Sequence, residues 1–215
     1  MHAVQQPLER ALQQVGLTVT LSADRKTVMS ADGVVVPGIG RFSEVLEQLR
    51  EVDGETLIDQ RLARSLPVLG INTGFQVLFS DSEDGLEQWP GTVVELASTH
   101  DSWAQVRPQE SLEILDGLQD QEFYFTHDLA LVEDPWKDHS GPLKKPAVAW
   151  ASQTTDDDQA SAGEAPDHSA DDAPEGQSID FIAAVENGPL VATQFHPEMS
   201  GEAGLQLLEN WAKTL

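Results

Sequence analysis

Residues 67–79 read Pro67-Val68-Leu69-Gly70-Ile71-Asn72-Thr73-Gly74-Phe75-Gln76-Val77-Leu78-Phe79. A short continuous apolar run, Pro67 to Ile71, has the length and composition of a buried strand. Phe75, Val77, Leu78 and Phe79 then start a helix, and Asn72-Thr73-Gly74 lies between the two. A sharp strand-to-helix turn with glycines on both sides is the pattern of a nucleophile elbow, which lifts one side chain above the edge of a sheet. The residue after the elbow offers a backbone N–H at a helix N-terminus, suited to a developing oxyanion. The side chain lifted here is that of Asn72.

On the N-terminal side, Val4, Leu8, Ala11, Leu12 and Val15 recur at helical spacing, with Gly16 where a C-terminal cap belongs. Two strand-like runs follow, Leu17 to Leu21 and Gly33 to Val36, the second opening into the loop Pro37-Gly38-Ile39-Gly40. Phe42, Val45, Leu46 and Leu49 predict one helix, and Leu57, Ile58, Leu62 and Leu66 another. Strand alternating with helix predicts a mostly parallel sheet flanked by helices. The second half adds strand signals at Thr92 to Leu96, Ala104 to Val106, Glu122 to His127, Ala147 to Ala151, Phe181 to Val185 and Leu190 to Phe195. Asn187-Gly188 predicts a type I′ hairpin between the last two. Leu205, Leu207, Leu208 and Trp211 close the chain as an apolar-faced helix.

The 215 residues suffice for one well-buried domain and are few for two. The segment Thr154 to Gln177 holds eight acidic residues and no Lys or Arg. It has too little apolar surface to offset the entropy of ordering, so it is expected to be a mobile loop insertion. No apolar run approaches the ~20 residues of a membrane helix, and the start (Met1, His2, Ala3, Val4) lacks a signal-peptide pattern. Net charge is −25, from 37 acidic against 12 basic side chains. This field repels phosphate backbones and anionic lipid, which argues against nucleic acid or membrane as partners. There is no cysteine. That excludes disulfides, thiolate metal sites and thiol nucleophiles together, and fits a cytoplasmic protein without metal or cofactor.

Two further stretches gain meaning beside the elbow. Phe195-His196-Pro197-Glu198 ends a strand before the last helix. A histidine there suits a general base, and a carboxylate two residues on can fix its tautomer. The loop Pro37 to Gly40 offers flexible backbone N–H groups that could face a developing negative charge.

In this order, on an alternating fold, the three resemble the class I glutamine amidotransferases, and most closely the glutaminase subunit of imidazole glycerol phosphate synthase. The resemblance runs through Val36 to Phe42, Pro67 to Phe79, Trp89-Pro90-Gly91, His100 to Val106, Phe123 to His127 and Phe181 to Trp211. Gln194-Phe195-His196-Pro197-Glu198 with Ser200 to Gly204 is its most specific part. It implies a flavodoxin-like fold and a Cys-His-Glu triad falling on Asn72, His196 and Glu198. It places the oxyanion site on the N–H of Thr73 and on Gly38, Ile39 and Gly40, with Gln76 lining a glutamine pocket. It also implies docking on a (βα)₈-barrel cyclase, toward which Trp103, Tyr124 and Met199 would face.

The departures are informative. Asparagine is neutral and a poor nucleophile, so no thioester can form at position 72. Thr73 has a hydroxyl, but the neighbour of an elbow residue points elsewhere. Asparagine does tolerate left-handed backbone, so the turn can survive without its chemistry. The family opens with a strand and an Asp-Tyr-Gly-x-Gly-Asn turn, whereas Met1 stands at the helix that follows. Either the start lies upstream or the element is gone. Thr99-His100-Asp101-Ser102-Trp103-Ala104 replaces Pro-His-Met-Gly-Trp-Asn, Met199 replaces a lysine, and Asp128 and Leu129 replace polar or aromatic residues. The expectation is a degenerate amidotransferase subunit of the histidine pathway that does not hydrolyse glutamine. The alternative is a noncatalytic glutamine-binding or scaffold module. A serine-type α/β-hydrolase does not fit, because the elbow lacks serine and Glu198 follows His196 by two residues.

Overall fold

The computed structural model describes residues 2–38, 40–79, 85–138, 144–154 and 178–215, with side chains from residue 6 onward. The acidic segment lies outside the described residues except Thr154, which ends a strand. A six-stranded sheet has the order β1-β2-β8-β7-β6-β4. Its strands are β1 (Val34–Val36), β2 (Val68–Ile71), β4 (Arg107–Pro108), β6 (Ala147–Thr154), β7 (Ser178–Asn187) and β8 (Leu190–Thr193). The pairings β1·β2 and β2·β8 are parallel, and those from β8 through β7 and β6 to β4 are antiparallel. The expected α/β architecture with antiparallel strands in the second half holds. The sheet is mixed rather than mostly parallel, because among the described residues the second-half strands give three antiparallel pairings against two parallel ones. A separate two-stranded antiparallel sheet pairs β3 (Val94–Gln105) with β5 (Glu122–Ala130).

Apolar side chains alternate across the six-stranded sheet and build a core on each face. Leu69 and Ile71 of β2 join Leu8, Ala11 and Leu12 of α1 (His2–Gln14) and Leu207, Leu208 and Trp211 of α6 (Gly201–Ala212). Val68 on the opposite face joins Val45 and Leu46 of α3 (Phe42–Glu51) and Ile58 of α4 (Gly54–Leu62). Covering both faces makes β2 apolar throughout, which is why it reads as a continuous run. Between α1 and β1 lies the short α2 (Arg25–Ser30), whose N-cap Asp24 accepts from the Thr27 N–H at 2.8 Å.

Four local expectations are corrected. Leu17 to Leu21 is not a strand, although Leu17 and Val19 are half-buried against the core and Leu21 is exposed. Leu17 and Val19 turn toward the core as alternation requires but Leu21 does not, and a strand also needs a partner ladder, which this segment lacks among the described residues. The signals at 92–96 and 104–106 belong to one strand, β3, interrupted by an irregularity between Glu95 and His100. The helix after the elbow is only α5 (Thr73–Gln76). The carbonyls of Val77 and Leu78, which would have continued it, accept instead from Leu86, Gln88 and Trp89. In the β7–β8 hairpin Asn187 pairs with Leu190, so the loop residues are Gly188 and Pro189. Only Gly188 has positive φ, +59°, the pattern of a II′ rather than a I′ turn. Proline's fixed negative φ excludes the I′ form at the second position.

The parallel pairing aligns Ile71 with Thr193, so the carboxyl ends of β2 and β8 lie side by side. Asn72 leaves one of these ends and Gln194 to His196 leave the other. A crevice beyond the carboxyl ends of parallel strands is where open α/β sheets place their sites.

Candidate active site

Asn72 holds φ +49° and ψ −111°, a conformation costly for any side-chain-bearing residue. Its backbone N–H donates to Thr193 O at 2.7 Å, tying the elbow to β8. The turn is also packed to backbone contact by the glycine loop. A Cβ added at Gly38 would stand 2.1 Å from both Ile71 O and Thr73 N, and one at Gly74 2.0 Å from Val36 O. Glycine is therefore required at both positions by close approach. Gly38 covers the amide nitrogens of Thr73 and Gly74, and the Thr73 hydroxyl donates to Gly40 O at 3.0 Å. Thr73 is thus engaged by the loop rather than presented beside Asn72. Ile39 lies outside the described residues.

The structure brings Asn72, His196 and Glu198 into one buried line. The Asn72 carboxamide nitrogen is 2.9 Å from His196 Nε2 and donates to Thr126 O at 3.3 Å. Its oxygen accepts from Gln194 Nε2 at 2.8 Å. These neighbours set the amide's orientation, because a carbonyl acceptor faces one end and an amide donor the other. An amide donor against Nε2 makes Nε2 an acceptor, so the ring proton sits on Nδ1 and is donated to Glu198 Oε1 at 2.8 Å. The other carboxylate oxygen of Glu198 is buried without a partner. The backbone around His196 is fixed as well: its N–H donates to Tyr124 O at 3.0 Å, and its carbonyl accepts from Ser200 Oγ at 2.6 Å.

Gln76 faces the same region, donating from Nε2 to Leu129 O at 2.9 Å and standing 3.4 Å from Gln194 Oε1. Gln194 and Ser200 are site residues that reading by role did not assign. The available signal was a polar glutamine immediately after an apolar strand, in a stretch otherwise fully buried.

Behind the line, His100 and His127 are a facing pair on β3 and β5, buried among Phe125 and Phe181. His127 Nδ1 bonds Leu129 O at 3.1 Å, while its Nε2 has no partner. Burial, the neighbouring His100 and then His196 lower the His127 pKa to about 3, against an upward pull from the Leu129 carbonyl. His100 is lowered by burial, with Asp101 opposing. Both rings are neutral at neutral pH.

Trp103 and Tyr124 are also register partners on β3 and β5, with ring centroids 5.9 Å apart. The Tyr124 hydroxyl bonds the Asp101 carboxylate, which pushes its pKa up. Trp103 is 51% exposed and Met199, one residue past Glu198, is 47% exposed. Among the described residues, no group of three or more His, Cys, Asp or Glu could hold a metal ion, and no helix is long and apolar enough to cross a membrane.

Comparison with known proteins settles the kinship of this arrangement. A profile described as "Glutamine amidotransferase class-I" matches residues 2–215. The chain belongs to that family. Among similar amidotransferases, the imidazole glycerol phosphate synthase subunit HisH of Renibacterium salmoninarum is 40% identical, the alignment covering 96% of this chain and 87% of the relative. The same subunit from Leifsonia xyli subsp. xyli is also 40% identical, over 96% and 91% of the two chains. Solved structures share the fold at low identity. The glutaminase domain of Trypanosoma brucei CTPS with bound acivicin superposes with a TM-score of 0.59 at 16% identity, covering 99% of this chain and 89% of that one. PurLQS from Thermotoga maritima gives 0.61 at 14%, over 97% and 91%. In this member of the family the residue at the elbow is an asparagine, and no cysteine exists elsewhere in the sequence.

Proposed function

We propose that this chain is the amidotransferase-type subunit of an imidazole glycerol phosphate synthase, acting in histidine biosynthesis without hydrolysing glutamine. The observation that carries the loss of activity is the carboxamide of Asn72 at the elbow in a cysteine-free chain. An amide nitrogen has its lone pair delocalised into the carbonyl, and its N–H is far too weakly acidic for an imidazole base to activate it as a thiol would be activated. His196 would otherwise serve as that base, but its Nε2 lone pair already accepts from Asn72. Similarity to HisH subunits over nearly the whole chain supports the pathway and a cyclase partner. The partner would be a (βα)₈-barrel, docked on the face carrying Trp103, Tyr124 and Met199. On this reading the barrel uses free ammonia, and the present chain stabilises it in the cytoplasm. Residues 1–215 form one domain, with 154–177 inserted in it.

The test is ammonia release from glutamine by the chain with and without the organism's cyclase subunit. No release above background is expected. Release that His196→Ala abolishes would overturn the proposal. Growth of a histidine auxotroph carrying the chain is expected to require ammonia in the medium.

A further inference from the structure

We infer that Asn72 has converted the nucleophile position into a clasp that fastens the β3–β5 sheet to the six-stranded sheet. Three elements meet on its one carboxamide: Thr126 O of β5, Gln194 just beyond β8, and His196 of the following loop. Gln76, one helical turn on, holds β5 a second time through Leu129 O and reaches Gln194 Oε1. Residues 72 and 76 therefore tie the same strand at two points three residues apart.

This matters because, among the described residues, β3 and β5 form a sheet of their own and share no ladder with the six-stranded sheet. Their attachment runs through apolar packing of Phe123 and Phe125 and a small number of bonds. Those bonds include His196 N–H to Tyr124 O, the Ser200 hydroxyl accepting from Tyr124 N–H at 3.0 Å, and Gln153 to Ser98. Buried bonds of this kind are costly to leave unmade, so each constrains the seating of the small sheet. A thiol at position 72 has one weak donor and cannot reach all three partners. The asparagine therefore adds connections that the family's nucleophile cannot make.

The clasp uses both Asn72 amide protons and the Nε2 lone pair of His196 without any ligand. The site is thus closed internally, and the pair of exposed Trp103 and half-buried Tyr124 on the same small sheet is held in place by the elbow itself. Taken with the docking role proposed above, on which this last step rests, the face toward the cyclase is formed permanently instead of on substrate binding.

Amide hydrogen exchange and ring ¹⁵N NMR on the full chain test the clasp. Two variants are compared with the native protein: Asn72→Ala, and Gln194→Met, which leaves the elbow backbone untouched. In both, amides of β3 and β5 are expected to exchange about tenfold faster while those of β1 and β2 keep their rates, since about 1.4 kcal/mol of lost bonding opens a local unit by that factor. The native His196 ring is expected to carry its proton on Nδ1, and Asn72→Ala to give a mixture of tautomers. Unchanged exchange in both variants, or a native proton on Nε2, overturns the clasp. Glutamine hydrolysis by the native chain would instead overturn only the proposed loss of activity, so the two failures are distinguishable.

Discussion

The carboxamide nitrogen of Asn72 lies 2.9 Å from Nε2 of His196, although 124 residues separate them in the chain. The histidine is further held by Glu198 at 2.8 Å, so an imidazole–carboxylate pair stands ordered beside the elbow. This supplies a direct chemical probe. Asn72→Cys creates the chain's single thiol, within reach of His196. Iodoacetamide is expected to give one adduct, at residue 72, and faster at pH 7 than with free cysteine, because a neighbouring histidine favours the thiolate. The same variant is expected to release more ammonia from glutamine than the native chain. A thiol no more reactive than free cysteine would show that the line is not competent.

Arg61 is fully buried and donates to four carbonyls: Val28 at 2.7 Å, Ala31 and Asp32 at 3.0 Å, and Pro67 at 3.1 Å. It fastens the end of α2 and the approach to β1 against the entry to β2. Arg61→Met leaves those carbonyls without their donor and is expected to cost about 3 kcal/mol in urea unfolding. Arg61→Lys, which lacks the fork geometry, is expected to recover only part of that loss.

Acid sensitivity follows from His127. Its folded pKa of about 3 lies below the ordinary histidine value, because burial and neighbouring imidazoles disfavour the charged ring. Between those two values the unfolded chain binds a proton that the folded chain does not, so stability rises with pH there and falls as the solution is acidified. This one ring adds a slope of at most about 1.4 kcal/mol per pH unit between pH ~6.5 and ~3, and His100 adds in the same direction. His127→Phe suits the aromatic surroundings and removes the unpartnered Nε2. It is expected to flatten urea stability measured from pH 7 down to pH 4, at some loss at neutral pH from the missing bond to Leu129.

Gly38→Ala tests the contact between the glycine loop and the elbow. The new Cβ would meet backbone atoms of Ile71 and Thr73 at 2.1 Å, where no flexible side chain can give way. The loop must lift from the turn, at an expected cost of about 2 kcal/mol or more. Calorimetry should show the lower Tm, and the amide resonances of Thr73 and Gly74 should shift.

Much of the architecture was legible because its causes are local. Continuous apolar runs mark strands covered on both faces, as in Val68 to Ile71, and helical spacing marks α3, α4 and α6. Where reading failed, the deciding partner was distant. Leu17 to Leu21 has the composition of a strand, but no described strand pairs with it. Val77 and Leu78 lose their helix because residues 86–89 take their carbonyls. The hairpin register moved by one residue because pairing of β7 with β8 set the loop as Gly188-Pro189.

The sequence alone determined that thiol chemistry is impossible here, since composition admits no exception. It also determined the family, because elbow, glycine loop and His-Pro-Glu stretch occur in one order along one chain. Tertiary structure decided what Asn72 does instead. A carboxamide's role depends on which donors and acceptors surround it, and Thr126, Gln194 and His196 meet it only when β5 and β8 fold against the elbow.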